Sequence, residues 1–176
     1  SRTIHEADWT AGPKPRLHFR PEDVASLRSK RDALPDLWNP LRCRAQEALG
    51  APLAEHIDPA LALYANFARA RDMTLVGLLE QRDDLTRDAW RYIEPALGRT
   101  PLDRHWVMAA HVPLKVDLGF SSMCATAACA LDWAGDLWEP DHRDRLEAEL
   151  RERVGLFYDL RDDPSEWWAG ATHNWR

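Results

Sequence analysis

The amino-acid sequence predicts an all-α domain built of antiparallel helix pairs. Apolar residues recur at helical spacing along several segments, and no segment has the alternating pattern of a half-buried strand. Proline and acidic residues stand at positions suited to helix starts, and glycine stands where helices would end. These observations indicate a stacked or ring-like helical array, because helix pairs bury their apolar faces against neighbouring pairs.

Residues 1–20 are predicted to be extended, and residues 21–176 are predicted to form the helical domain. Glycine and proline interrupt the N-terminal segment, whereas Pro21 suits the first turn of a helix. Pro35 is expected to end or interrupt this helix, and a second helix is expected from about Asp36 to Leu49.

The next helix is predicted to begin at Asp58, which suits an N-cap, with Pro59 at its first helical position. Residues 69–85 fit either a continuing helix or a restart near Asp72, and a further helix is expected from Asp84. The face predicted to be buried carries Leu61, Tyr64, Ala65 and Ala68, widened by Leu63 and Phe67.

The segment from Leu118 onward predicts an αα-hairpin with an inner and an outer member. Leu118 to Ala134 is apolar or small on nearly every side, as in a helix buried by several neighbours, and Gly135 ends it. Pro140 then begins an amphipathic helix. Its apolar stripe contains Leu146, Leu150, Val154 and Phe157, while Glu147 with Arg151 and Glu149 with Arg153 are expected on the exposed side.

The composition excludes several classes of protein. Hydrophobic residues make up 45% of the chain, which is enough for a packed core. The formal net charge of −6 argues against a general nucleic-acid binder, although a local basic cleft could still hold an acidic substrate. No apolar run is long enough to span a membrane, and no apolar signal core opens the sequence, so the localisation stays open.

The cysteines do not indicate a disulfide framework, because they are odd in number and irregularly spaced. We interpret Cys43, Cys124 and Cys129 as small buried hydrophobes. No cofactor and no metal site are expected from the sequence.

Aromatic residues are abundant, with nine tryptophans in the chain. Most of them, and the tyrosines Tyr64, Tyr92 and Tyr158, are expected to pack in the core. The consecutive Trp167 and Trp168 cannot both face one core, so they are candidates for flat walls that stack on sugar rings.

Three segments together resemble the heparinase II/III-like polysaccharide lyases. The first, residues 15–28, opens Pro-Arg-Leu-His-Phe-Arg-Pro-Glu-Asp and is similar to the start of that family's first helix. The second begins Asp-Leu-Gly-Phe at Asp117 and continues to residue 143 like the family's helical hairpin. The third, Trp167 to Trp175, is close to the family's "WW…TNNW" motif. They occur in the family's order, and the resemblance covers most of residues 15–175.

The resemblance implies an (α/α) toroid followed by a β-sandwich, with a cleft for a uronate polysaccharide between them. The 176 residues would then be the first part of an incomplete toroid. Its partners would be an acidic polysaccharide or oligosaccharide and the C-terminal remainder of the same chain. The abrupt stop after an aromatic-rich segment, at Trp175 and Arg176, agrees with a fragment, because a natural end is more often a polar tail.

The resemblance also implies cleavage by β-elimination, with Asn174 and His173 as the catalytic candidates. The family often has Asn at the positions of His173 and Arg176, so this sequence departs from the pattern at both. An equally simple interpretation of His173 and Asn174 is a helix cap or a buried polar pair. The expected substrate-binding residues are Trp167, Trp168, Trp175, Arg176 and His105. The catalytic tyrosine would lie beyond residue 176.

Three other functions fit the same sequence. A uronyl epimerase on this scaffold would share the proton abstraction and differ in where the proton returns. A glycoside hydrolase would need two carboxylates flanking the scissile bond, and no convincing pair is present. A non-catalytic helical carbohydrate-binding or scaffold module would use the tryptophans without catalysis.

Overall fold

The computed structural model describes residues 14, 15, 17–98, 118–160 and 163, and these ranges contain six α-helices and no strand. The predicted all-α class is therefore confirmed for this part of the chain. The helices are α1 (Val24–Ala33), α2 (Pro35–Ala48), α3 (Pro59–Glu80), α4 (Asp83–Ala89), α5 (Leu118–Ala134) and α6 (Pro140–Leu160). Within the described ranges, no helix has the length and apolar character needed to cross a membrane.

Most helix boundaries follow the local sequence signals. Asp58 caps α3, because its carboxylate accepts a hydrogen bond from the Ala60 amide at 2.9 Å. Pro35 follows the end of α1 and occupies the first position of α2. The stretch that was open to two interpretations, residues 69–85, continues α3 without a restart near Asp72 and ends at Glu80.

The two most buried helices, α3 and α5, pack side by side and run parallel. Their C-terminal ends meet, since Gly77 and Gln81 of α3 line the same cavity as Trp133 of α5. About two turns earlier, Arg71 lies beside α5: burial raises the pKa of the Cys129 thiol, and the Arg71 charge opposes that rise. The same order of contacts along both helices requires parallel axes.

Each member of this parallel pair has an antiparallel neighbour. Helix α2 is antiparallel to α3, because Trp38 donates a hydrogen bond to Glu80 at 2.7 Å while Arg44 donates to Asp72 at 3.2 Å. Helix α6 is antiparallel to α5, with the Arg143–Asp136 ion pair at one end of the hairpin. The predicted inner and outer members of an αα-hairpin are thus present in this pair.

The core face of α3 is only partly the predicted one. Leu63 and Phe67, which belong to the predicted face, are buried together with Ala70 and Met73. Tyr64 is 40% exposed, and Ala68 is only partly buried. This part of the prediction was wrong because apolar residues occur on both sides of α3 at the same spacing, and only the neighbouring helices decide which side is covered.

Other side chains also differ from prediction in their exposure. Arg153 was expected in solvent, but it is fully buried and pairs with Glu149 at 2.8 Å. Cys43 was expected to be buried and is exposed, and Tyr158 is 42% exposed. A spacing of four residues predicts the Glu149–Arg153 pair but not whether neighbouring elements cover it.

A close contact between α3 and α4 depends on Gly77. A Cβ atom at this position would lie 2.1 Å from Oγ1 of Thr86, far inside van der Waals contact. The Thr86 carbonyl in turn accepts a hydrogen bond from Nε1 of Trp138 at 2.6 Å, and the Trp138 side chain is fully buried. Gly77 therefore lets α4 approach closely enough for Trp138 to fill the core.

We predict that Gly77→Ala destabilises the domain by roughly 1–3 kcal/mol through overpacking against Thr86. Gly155→Ala is the matched control, because nothing lies within 4 Å of a Cβ atom there and the residue is inside α6. The control should be neutral or stabilising by about 0.5–1 kcal/mol. Chemical denaturation measures both; equal stability of the two variants would contradict the close contact.

We predict that, in the native state, thiol reagents modify Cys43 and not Cys124 or Cys129. Burial raises the pKa of the Cys124 thiol to about 12, opposed only in part by the Arg153 charge, so almost no reactive thiolate forms at neutral pH. Peptide mass spectrometry after maleimide treatment, with and without denaturant, measures this. Native labelling of Cys124 at the rate of Cys43 would contradict the packing of α5.

Candidate functional site

All seven site residues predicted from the sequence lie outside the described residues. They are His105, Trp167, Trp168, His173, Asn174, Trp175 and Arg176. Their roles therefore stay predictions. The described ranges contain most of the first two family-like motifs, and these two motifs are in direct contact.

The first motif binds the second through the backbone of one residue. The Leu17 amide donates to Oδ2 of Asp132 at 2.8 Å, across a separation of 115 residues. The Leu17 carbonyl accepts from Nε1 of Trp133 at 3.3 Å. Consecutive side chains at the C-terminal end of α5 thus satisfy both polar groups of Leu17, which fixes the position of the segment before α1.

Aromatic stacking completes this junction. The Phe19 ring lies 5.7 Å from the Trp133 ring with an interplanar angle of 16°. His18 between Leu17 and Phe19 has φ 68°, a left-handed conformation that turns the chain so that both neighbours face α5. Only 7% of Trp133 is exposed, so its ring is a packing surface here and not a free wall for a sugar.

A cavity of about 260 Å³ lies beside the junction. Its polar lining comes from Lys14, Arg28, Gln81, Asp83 and Asp132. The volume is below the roughly 300–1,000 Å³ of typical small-molecule sites, and an oligosaccharide needs more room still. The charge of Arg28 is also committed to the fold, since its guanidinium donates to the last carbonyls of α3 at 2.9 and 3.1 Å.

A further accessible surface runs along the parallel helices. On both helices the less buried positions recur at spacings of three and four residues, so each helix has one stripe that is less covered than its other sides. Helices α3 and α5 pack together, and the Arg71 charge acts on Cys129, the residue after Ala128, so the two stripes lie near each other. We call this surface the open face: Leu61, Tyr64, Ala68, Arg71, Leu75 and Leu78 of α3, with Ser121, Ala125 and Ala128 of α5.

A second aromatic cluster has a structural role. The His142 ring stacks on Trp90 with a centroid distance of 4.2 Å and an interplanar angle of 10°, and Trp138 meets the same indole edge-on at 5.4 Å. These contacts fasten the start of α6 to the turn after α4. Over the ranges that the structure describes, no three His, Cys, Asp or Glu side chains are grouped to hold a metal ion.

Sequence reasoning found the motifs but missed the contact between them. Asp132 was one available signal, because it lies between Leu131 and Trp133 in an otherwise apolar helix. A carboxylate that is 95% buried needs hydrogen-bond donors, and in this fold one of them is the Leu17 amide. The donor could not be identified from the sequence, because it lies far away along the chain.

Comparisons of this chain with protein-family models, curated proteins and solved structures find no match. The resemblance to polysaccharide lyases therefore stays an expectation from the three sequence motifs.

We predict that Asp132→Ala releases the segment before α1 from α5. The Leu17 amide loses its acceptor, so hydrogen exchange in residues 14–20 should accelerate, and the domain should lose about 1–3 kcal/mol of stability. Asp136→Ala, which removes a carboxylate side chain that is 97% exposed, is the control. Hydrogen exchange mass spectrometry measures the difference; unchanged exchange in the Asp132 variant would disprove the docking contact.

Proposed function

We propose that this chain is part of the helical domain of a polysaccharide lyase that acts on uronic-acid-containing polymers. The main support is the contact between the first two motifs, in which Leu17 and Phe19 of one meet Asp132 and Trp133 of the other. Both contacting pairs lie within segments that resemble the family, and a shared fold would place those segments together.

The arrangement of helices also supports an (α/α) toroid. Such a ring consists of αα-hairpins whose inner helices lie side by side, each with an outer helix that returns the chain. In this proposal, α3 and α5 are neighbouring inner helices, and α2 and α6 are the outer helices paired with them. In this proposal the remainder of the chain completes the ring and adds the β-sandwich.

The proposed chemistry is β-elimination at a uronate residue. A base removes the proton from the sugar carbon beside the carboxylate, a carbon–carbon double bond forms, and the bond to the leaving sugar oxygen breaks. That oxygen takes up a proton, so the products are a new hydroxyl end and an unsaturated uronate. The carboxylate must be neutralised by hydrogen bonds or positive charge, because the proton beside it is only weakly acidic.

The third motif supplies the candidate groups for this reaction. The Asn174 amide would donate a hydrogen bond to the substrate carboxylate, and Arg176 would bind it in a bidentate manner. A neutral His173 would act as base or as a hydrogen-bond donor. Trp167, Trp168, Trp175 and His105 would line the cleft.

We predict that the full-length protein generates a vinyl proton signal when it is incubated with uronate oligosaccharides in heavy water. Proton NMR detects the new double bond directly, and it also reports loss of the H5 signal by exchange. Exchange without a vinyl proton would replace the lyase with a uronyl epimerase. Neither signal, across heparan, chondroitin, hyaluronan and alginate substrates, would contradict both enzymes and favour a binding module.

The double variant His173→Ala with Asn174→Ala separates catalysis from binding in the same assay. A lyase that uses these residues should lose turnover far more than affinity for the oligosaccharide. Unchanged turnover would remove both residues from the proposed mechanism while leaving the reaction itself in place.

A further inference from the structure

One buried carboxylate, that of Asp72, accepts hydrogen bonds from two arginines. Oδ2 of Asp72 accepts from Nε of Arg44 on α2 at 3.2 Å. Oδ1 of Asp72 accepts from Nε and Nη2 of Arg71 at 3.0 and 2.7 Å. We call Arg44 and Arg71 the arginine pair, and the pair together with Asp72 the cluster.

The charges of this cluster do not balance. Two guanidinium groups share one carboxylate, so the cluster carries a net charge of +1. The Asp72 side chain is only 9% exposed, whereas the side chains of Arg44 and Arg71 are 58% and 41% exposed. The negative charge therefore lies inside, and the positive charge faces solvent.

Both arginines keep donors that the described residues do not use. The two Nη groups of Arg44 and the Nη1 group of Arg71 donate to no acceptor in the described ranges. A guanidinium fixed through one edge presents the other edge in a set orientation, which suits the planar or tetrahedral oxygens of an anion. Arg71, which is held through two donors, has less side-chain freedom left to lose when an anion binds than a free arginine.

A purely structural role explains only half of the cluster. The bond from Arg44 to Asp72 connects α2 with α3 and is useful for packing. Arg71 is the neighbour of Asp72 on the same helix, so its ion pair connects no two elements. Ion pairs of half-exposed side chains contribute only about 0–1 kcal/mol to stability, so Arg71 satisfies Oδ1 of Asp72 without adding a connection between helices.

The cluster reaches the open face through Arg71. Arg71 is a member of that face, and Tyr64, two turns earlier on α3, has a half-exposed ring on the same stripe. The positions between and beside them are small, namely Ala68 of α3 and Ala125 and Ala128 of α5. A polymer chain could therefore approach the helix surface closely, with an aromatic ring near one of its units.

We propose that Arg44 and Arg71, oriented by Asp72, bind an anionic group of an acidic polysaccharide on the open face. The ligand group is a uronate carboxylate or a sulfate ester, since both present oxygens that accept paired N–H donors. The choice of a polysaccharide as the carrier of this anion rests on the proposed lyase function. In a toroid the open face would be the inner surface, so the pair would hold the polymer away from the bond that is cleaved.

The test is a calorimetric titration of the full-length protein with three tetrasaccharides of one backbone: carboxylated, carboxylated and sulfated, and carboxyl-reduced without sulfate. The variants are Arg44→Gln, Arg71→Gln and both together. Arg87→Gln is the control, because it removes the same charge from an exposed position on α4. Thermal unfolding of each variant checks the fold, and each single variant leaves Asp72 one arginine partner.

The double variant should bind the charged tetrasaccharides about tenfold or more weakly, because charge-assisted hydrogen bonds are lost. Binding of the carboxyl-reduced sugar, and all binding by the Arg87 variant, should be unchanged. If the double variant loses affinity for the carboxylated sugar without sulfate, the arginines bind the uronate carboxylate. If it loses affinity only for the sulfated sugar, they bind the sulfate. Arg71→Lys should bind the charged tetrasaccharides more tightly than Arg71→Gln but more weakly than the wild-type protein, because lysine keeps the charge without the paired donors.

Wild-type affinity of the double variant for both charged sugars would overturn the proposal, as would absence of any binding by the wild-type protein. The vinyl proton assay decides the lyase reaction separately. If the double variant of Arg44 and Arg71 still forms unsaturated product at unchanged KM, the protein is a lyase without this anion site. A protein that binds charged sugars through the arginine pair but forms no product has the site without the reaction.

Discussion

The fold depends on the burial of α3, because α1, α2, α4 and α5 all pack against this one helix. A helix covered on several sides must satisfy every polar group it carries. Asn66 does so by pairing with both backbone groups of Ala54, at 2.7 and 3.4 Å, and Thr74 donates back to the carbonyls of its own helix at 3.0 Å. Asp72 takes two arginines. These bonds fix the neighbouring loop and α2, so the interior of α3 determines the positions of the elements around it.

The existence and limits of the helices were largely readable from the sequence, while their covered faces were not. Helix α5 has the predicted bounds, because its composition allows no other element and glycine and proline follow it. The exposure of Tyr64 on α3 and the unexpected burial of Arg153 have one cause. Local spacing defines stripes on a helix, but burial depends on which elements dock there, and those elements are distant in sequence.

The sequence and the structure support different parts of the proposed function. The sequence motifs identified a candidate family, and the fold places the first two motifs in contact at Leu17, Asp132 and Trp133. The third motif carries the proposed reactive groups, His173 and Asn174. The arginine pair was not recognised in the sequence, because Arg71 and Asp72 are ordinary neighbours on a helix until Arg44 arrives from α2.

We propose an arrangement in which α3 and α5 are neighbouring inner helices of a ring and present the open face to an acidic polysaccharide. A crystal structure of the full-length protein with a bound uronate oligosaccharide tests it most directly. We expect a ring in which the sugar follows the open face, with one of its anionic groups on Arg44 and Arg71. Another part of the protein packed over Tyr64 and Arg71, or a sugar bound elsewhere with this face empty, would contradict the claim.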